Sequence, residues 1–361
     1  MKILDWYILK KFFSTFFFAI ILFTFITVVI DVSEKADDFV SSGVTTKQVI
    51  TEYYFGFIPH IVSMLFPLFV FISVIFFTSK MAGRSEIVAI LASGTSFFRF
   101  LRPYWVGAIT LAIFLWLALR YVVPLANLRS TTFEAQYINK ANFNTGGDNS
   151  TLYFRNDTTH YGSVQYYDTS TKRGSNFVLQ EIVGGRLVSN IRAEAIFWDT
   201  TTKGWMLESV VIRKIDSLSE KQEQQSRMPV KLNFKAAEIK PGQNTKDVMP
   251  TPRLDRFIEL EKLRGGETLN ELLVEKYRRD ATPASLILLT IIGVSVASRK
   301  VRGGSGLHLA IGFITASLFI LADRFSTMFS IKGNFPPLIA AWTPFTIFLV
   351  VAFYLLKKAP K

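Results

Sequence analysis

The 361-residue chain has no cysteine. Disulfides, thiolate nucleophiles and cysteine-based zinc or iron–sulfur sites are excluded. Its three histidines, His60, His160 and His308, lie too far apart in sequence to form a metal-ligand spacing, so no metal and no cofactor are expected. Charge is scarce too: 19% of residues are charged, against about 25% in soluble domains. No G-x-x-x-x-G-K-[ST] motif occurs, so any ATP hydrolysis linked to this chain belongs to another subunit. No polar segment gathers an acid, a base and a nucleophile, which argues against an enzyme.

What the chain has in abundance is apolar surface. Half of it is hydrophobic, 14% is aromatic, 34 residues are Phe, and the mean hydropathy is +0.30. This surface is blocked into runs without Asp, Glu, Lys or Arg: Phe12–Ile30, Phe55–Ser79, Pro103–Leu119, Ala281–Ser298, Gly303–Ala322 and Gly333–Leu356. Each is near the roughly 20 residues a helix needs to cross a 30 Å hydrocarbon core. A charge at mid-bilayer costs about 2.5–3.5 kcal/mol, which accounts for the uncharged runs. Six membrane-spanning helices are therefore expected. Soluble cores rarely use six such blocks, and the first is too long and Phe-rich for a cleaved signal.

Lys and Arg set the expected orientation. Residues 1–11, 80–102, 299–302 and 357–361 hold thirteen cations against the two acids Asp5 and Glu86. The alternate short segments hold four cations (Lys35, Lys47, Arg324, Lys332) and six acids. By the positive-inside rule both termini are cytoplasmic and the long middle segment lies outside. Residues 121–280 carry 23 Lys/Arg and 20 Asp/Glu, a balance of only +3. The overall +13 is thus mostly a topology signal, and no nucleic-acid partner is expected.

The middle segment changes character. Thr151–Phe154, Ser163–Tyr167, Phe177–Val183, Arg186–Trp198 and Trp205–Ile215 read as strands separated by turn-rich pieces such as Gly184-Gly185. Ile191, Ala193, Ala195 and Phe197 alternate with Arg192 and Glu194, a one-sided strand pattern that Ile196 breaks. An antiparallel β domain with one apolar face follows. Beyond a Pro-bearing linker at residues 241–253, Leu254–Arg264 and Leu269–Arg279 read as two short amphipathic helices. Thr268 and Glu271 suit a capping box, and Pro283 suits the first turn of the fourth span.

The segment between the second and third spans carries the most informative motif, Gly83-Arg-Ser-Glu-Ile-Val-Ala-Ile-Leu-Ala-Ser-Gly94. Ser85 suits a helix N-cap and Glu86 the first turn. Ile87, Ile90 and Leu91 form one apolar stripe, and Gly94 suits a left-handed end. Spacing leaves two readings open: a helix docked in a groove of a cytoplasmic motor, or an interfacial helix lying on headgroups. The run Arg299-Lys-Val-Arg-Gly-Gly-Ser-Gly-Leu-His308 reads as a tight basic hairpin between spans. Lys35, Arg120 and Arg324, at the outer ends of spans, are candidate contacts for anionic lipid headgroups. The competing reading is that they anchor the spans or pair with acids such as Asp31, Glu34 and Asp323.

Together these features resemble the lipopolysaccharide-export permeases LptF and LptG. Leu4-Asp-Trp-Tyr-Ile8 is similar to their LDRYI-type opening, and Arg84–Gly94 is similar to their RSEL-V-x-x-x-ASG stretch, the most specific match. Phe197-Trp-Asp…Trp205-Met-Leu-Glu-Ser-Val210 resembles a strand pair of their periplasmic domain. Phe335-Pro-Pro-Leu-Ile-Ala-Ala-Trp-Thr-Pro344 resembles their final-span entry, closer to the G type. The resemblance covers essentially the whole chain. It implies a permease paired with a second, LptF-like permease above a cytoplasmic LptB-like ATPase dimer. Lipopolysaccharide would enter between first and fifth spans of opposing subunits. It would then pass through a periplasmic β-jellyroll to LptC/LptA-like bridge proteins and on to the outer membrane. Arg84, Ser85, Glu86, Ile87, Ile90, Leu91 and Gly94 would form the coupling helix, with Glu86 facing a basic residue of the ATPase. One departure is plain: where G-type members can carry basic residues, the outer end of the first span is acidic from Asp31 to Asp38, with Lys35 its only cation.

The implied fold class is an α-helical membrane protein of six transmembrane helices with a periplasmic antiparallel, jellyroll-like β domain. Its expected divisions are 1–125 for spans one to three, 126–253 for the β domain, 254–280 for the amphipathic helices and 281–361 for spans four to six. Two alternatives stand beside this reading: the permease of another ABC lipid or lipoprotein exporter, which usually has four spans, and a membrane-anchored periplasmic binding protein without an ATPase.

Overall fold

Ile8, Phe12, Phe16 and Ile20 recur every four residues, so a helix places them on one face. In the structure, a computed structural model, they are the buried stripe of α1 (Ile3–Ser41). Residues 2–138, 151–168, 171–200, 202, 204–216, 219–234, 246–264, 268–299 and 305–358 are described. They form two compact units: Met1–Phe133 with Asp247–Pro252 and Asn270–Lys361, and Glu134–Lys246 with Arg253–Leu269.

The first unit is helical. After α1 come α2 (Thr46–Gln48), α3 (Phe55–Gly83), α4 (Glu86–Ala92), α5 (Phe97–Leu117) and α6 (Val123–Phe133). A π-helical stretch, Val49–Tyr54, leads into α3, and another, Ala118–Val122, joins α5 to α6. Beyond α7 (Thr251–Arg264), which falls mainly in the second unit, come α8 (Leu269–Ala297), α9 (Ser305–Gly333) and α10 (Pro337–Lys357). Six of these helical stretches are long and apolar enough to cross a membrane. They run past the uncharged blocks: at about 1.5 Å per residue, a helix as long as α1 reaches nearly twice the depth of the hydrocarbon core.

Helix α3 is the hub. One face packs Phe66, Phe69, Val70, Val74 and Phe77 against α1 and α5; the other sets Phe71 and Ile75 against α8, α9 and α10. Two glycines permit close crossings within the α1–α3–α5–α6 side of the bundle. A Cβ on Gly56 would stand 2.4 Å from the Ala126 carbonyl oxygen of α6, and one on Gly107 of α5 would stand 2.5 Å from the Phe12 ring. Burial is uneven: 72% of the most apolar window of α8 is inside the unit, but only 11% of that of α1. Helix α1 therefore presents Phe17, Phe18, Ile21 and Phe25 outward along one exposed apolar face.

The expected break before the fourth span does not occur. Leu269–Arg279 and the span form one helix, α8, with Pro283 inside it. Within a helical bundle, neighbouring groups make up for the hydrogen bond a proline omits. The buried Arg279 also keeps the junction helical: its guanidinium bonds Glu275 one turn earlier, the Met249 carbonyl at 2.9 Å and the Thr251 hydroxyl at 3.1 Å. The turn-rich pieces 168–172 and 199–204 between expected strands, the linker at 241–253, the join between the two expected amphipathic helices and the basic hairpin at 299–308 each lie partly or wholly outside the described residues.

In the second unit six strands pair antiparallel in sequential order: β1 (Leu152–Arg155), β2 (His160–Asp168), β3 (Arg173–Val183), β4 (Arg186–Asp199), β5 (Gly204–Ile215) and β6 (Glu220–Val230). Strand β6, Glu-Lys-Gln-Glu-Gln-Gln-Ser-Arg-Met-Pro-Val, has no apolar alternation and is not expected from sequence. It is a strand because β5 offers it a ladder, from Trp205 opposite Val230 to Ile215 opposite Glu220. The sheet curls so that its ends meet. Asn233 donates its backbone N–H to the Asn156 side chain at 2.9 Å, and the Phe154 and Phe234 rings lie 4.9 Å apart. Inside the curl Phe177, Leu207, Trp205 and Val210 are buried.

The exception at Ile196 has a structural reason. On four adjacent strands the inward spacing lengthens from two residues to three: Val164 to Tyr167, Gly174 to Phe177, Ala193 to Ile196, and Leu207 to Val210. Tyr166, Asn176 and Ser209 hold positive φ at this line (49°, 49° and 54°). Because neighbouring strands shift face together, the inner surface stays apolar across the crease.

Candidate functional site

The turn from α3 into α4 is only two residues long. Arg84 ends α3, and Ser85 adopts a left-handed conformation with φ 60°. The expected side-chain N-cap at Ser85 is therefore not made; a left-handed residue cannot set its hydroxyl over the first turn as an extended one does. Instead its carbonyl accepts from the Ala89 N–H at 3.0 Å and starts the helix. Helix α4 is seven residues long, and Gly94 beyond it has φ 84°.

The apolar stripe of α4 faces the chain's own core. Ile87 is 1% exposed within the α1–α3–α5 cluster, and Ile90 and Leu91 pack against the same cluster. That leaves Val88, Ala89, Ala92, Ser93 and Gly94 outward, a face of small side chains into which another body can come close.

Glu86 is not a bare charge. Its carboxylate accepts from the Tyr7 hydroxyl at 3.1 Å and lies 3.7 Å from the Lys11 ammonium and 3.9 Å from the Arg84 guanidinium. Lys11 also donates to the Tyr7 hydroxyl and sits 4.1 Å from that ring's centre. A second polar tie lies close by in sequence. Arg99, in the first turn of α5, bonds the buried Asp5 of α1 at 2.8 Å, and the Lys2 backbone N–H reaches the same carboxylate oxygen at 2.8 Å. Sequence reasoning gave Tyr7, Lys11, Asp5 and Arg99 no part in the site, only places in the charge count and the opening motif. The signal was the opening Leu4–Ile8 motif, which places Asp5 and Tyr7 on different faces of one turn.

The three candidate headgroup cations do not form one site. Lys35 lies 3.3 Å from Asp31, donates to the Tyr53 hydroxyl and sits over the Tyr53 ring. Arg120 pairs with Asp280 at 3.0 Å and stacks 4.2 Å from Trp116, whose indole N–H donates to the same carboxylate at 2.8 Å. Arg324 differs: it is exposed, its neighbour Asp323 is engaged by Arg278 at 3.6 Å, and no carboxylate among the described residues stands within ion-pair distance of it. His160 hydrogen-bonds Asp157 at 2.9 Å in a β-turn, and His308 shares a hydrogen bond with Ser79 between α9 and α3.

Six helices long and apolar enough to cross a membrane, a short helix bridging two of them and a separate antiparallel sheet mark a multi-pass membrane protein. The chain matches the family of lipopolysaccharide export system permeases LptF/LptG over residues 6–358, nearly its whole length, and belongs to that family. Comparison with individually curated proteins gives no match. Of the segments that carried the sequence resemblance, Arg84–Gly94 and Phe335–Pro344 fall inside the matched span and Leu4–Ile8 overlaps its start.

Proposed function

We propose that this chain is one of two permeases of an ABC exporter that lifts lipopolysaccharide from the inner membrane, with ATP hydrolysed by a separate cytoplasmic ATPase dimer. The observation that carries the reading is α4. It is a short helix at the ends of two spans, anchored by Ile87, with a small-residue face turned outward beside an acid. That face suits a groove on an ATPase, and Glu86 suits a basic residue at its edge. The thirteen-to-four division of Lys and Arg supports both termini being cytoplasmic and the β lobe periplasmic.

The exposed apolar faces of α1 and α9 support lateral lipid entry, and the apolar lining of the β lobe supports onward passage to jellyroll bridge proteins. The proposed divisions are spans one to three in 1–125, the lobe in 126–253, the connecting helices in 254–280 and spans four to six in 281–361. Of the three candidate headgroup cations, Arg324 is the best placed for an anionic headgroup. The final-span entry favours a G-type member working with an F-type partner.

Photocrosslinkers at Phe18, Phe25, Ile314 and Leu318 test this in cells. Lipopolysaccharide adducts from both helices are expected, and none from either would sink the reading. Glu86→Lys is expected to abolish co-purification with the ATPase; intact assembly and stimulated hydrolysis would remove α4 from the coupling role.

A further inference from the structure

Helix α1 is the least enclosed of the six spans, held along its membrane part by one apolar stripe. Directional hold at the α4 end of α1 comes from two polar ties, one to α4 and one to the start of α5. Glu86, the first residue of α4, takes the Tyr7 hydroxyl and the Lys11 ammonium, which lie one helical turn apart. Arg99, in the first turn of α5, takes Asp5. The segment 86–99 therefore grips α1 from both of its ends. The Asp5 tie is the durable one, because Asp5 is 4% exposed and its carboxylate has Arg99 and the Lys2 N–H as donors. The Glu86 tie is partly exposed and depends on Tyr7, which connects Lys11 and the carboxylate.

We propose that Tyr7 and Lys11, together with the Asp5–Arg99 pair, are positioning residues for transport: Tyr7 and Lys11 fasten α1 to α4, and Asp5–Arg99 fastens it to the start of α5 that follows, so that displacement of α4 moves α1 with it. This deepens the reading of α4 as the ATPase-docking helix and rests on it. It gives Glu86 two faces of work, one toward α1 inside the chain and one toward the partner. It also identifies how a short helix outside the bilayer acts on the most exposed span within it. Arg84 stands 3.9 Å from the other carboxylate oxygen.

The test uses the complete complex of both permeases and the ATPase in proteoliposomes, comparing wild type with Tyr7→Phe/Lys11→Met. Neither substitution touches the outward face of α4. The double variant is expected to keep ATPase co-purification and hydrolysis within about twofold while lipopolysaccharide released per ATP falls about fivefold or more, the range of an ordinary coupling energy. Arg99→Asp is expected to lose release and Asp5→Arg/Arg99→Asp to regain it. Unchanged release per ATP in the double variant overturns the proposal. So does loss of assembly together with release, because the contact would then serve docking or folding.

A second measurement does not rely on transport. The chain has no cysteine, so spin labels at Lys10→Cys and Gly83→Cys are unique within it; a side chain at Gly83 meets nothing within 4 Å. The label distance is expected to stay the same between the nucleotide-free complex and one trapped with a non-hydrolysable ATP analogue, and to broaden on trapping in Tyr7→Phe/Lys11→Met. Gly83 is the last residue of α3, two residues before α4, so a wild-type distance that changes on trapping shows α1 moving independently of the corner that carries α4 and overturns the proposal. A wild-type complex that binds no ATPase or releases no lipid fails earlier, on the functional reading itself.

Discussion

Asp31 and Lys35 stand 3.3 Å apart, one turn from each other near the end of α1 remote from α4. The carboxylate is buried and also accepts the Tyr53 and Tyr54 hydroxyls, each at 3.0 Å. One acid thus joins α1 to the π-helical entry of α3 and holds the cation that the sequence offered as a headgroup contact. Replacing Asp31 with Leu takes the carboxylate from Lys35 and strands two hydroxyls. A loss of about 3 kcal/mol is expected, as for a broken buried pair. Thermal unfolding in detergent, with Tyr53→Phe and Tyr54→Phe each costing about 1 kcal/mol, checks it.

Gly56 and Gly83 are both in α3 and call for opposite outcomes. A methyl at Gly56 meets backbone atoms of α6, the Ala126 oxygen at 2.4 Å and the Ser130 nitrogen at 2.7 Å, which cannot swing aside. Gly56→Ala is expected to destabilise by about 1–3 kcal/mol as α3 and α6 are pushed apart. Gly83→Ala meets nothing within 4 Å and is expected to be neutral or to stabilise by up to about 1 kcal/mol. Equal melting temperatures for the two variants would contradict the packing at Gly56.

Trp205 closes the curled sheet by donating its indole N–H to the Phe234 carbonyl at 2.8 Å. Trp205→Phe keeps an aromatic ring but strands a buried acceptor, at a cost of about 1–3 kcal/mol. The expected outcome is faster amide exchange in 231–234 and in β1, with the spans unaffected. Exchange unchanged in both segments would mean the hydrogen bond does not hold the closure.

Asp157 supplies a pH test outside the spans. The Thr159 backbone N–H first, and the His160 side chain second, hold its carboxyl well below the ordinary carboxylate range. A pKa lowered on folding stabilises the turn above the unfolded value of about 4 and loses that contribution as pH falls through the folded value. Asp157→Asn is therefore expected to weaken protection of the 155–160 turn at neutral pH. The difference from wild type should shrink progressively as pH is lowered below about 4. A gap between the two proteins that widens in acid would reverse the sign and refute this account.

Much of the architecture was legible because the rule behind it is local. Uncharged runs of membrane length show directly in composition, and the six spans follow. The motif at 84–94 was legible for the same reason: a helix of seven residues with Ile87, Ile90 and Leu91 on one side can be read from spacing. Which way that side faced was not, since only packing turned the stripe into the α1–α3–α5 core and the small residues outward. Ser85 misled because serine usually caps from an extended backbone, whereas a two-residue corner forced it left-handed.

The sequence by itself determined the number of spans, the β character of the middle segment and the membrane class, because hydropathy and alternation act over a few residues at a time. Tertiary structure alone decided that polar β6 is a strand, that the sheet's inward face shifts at Ile196, and that Lys35 and Arg120 are taken by Asp31 and Asp280 while Arg324 is left facing outward. It also brought Tyr7 and Lys11 to Glu86, 79 positions away from Tyr7. The physical reason is common to all of these. Ladder partners, crease lines and ion pairs are made between segments distant in the chain, and their energy exists only once the fold has brought the segments together.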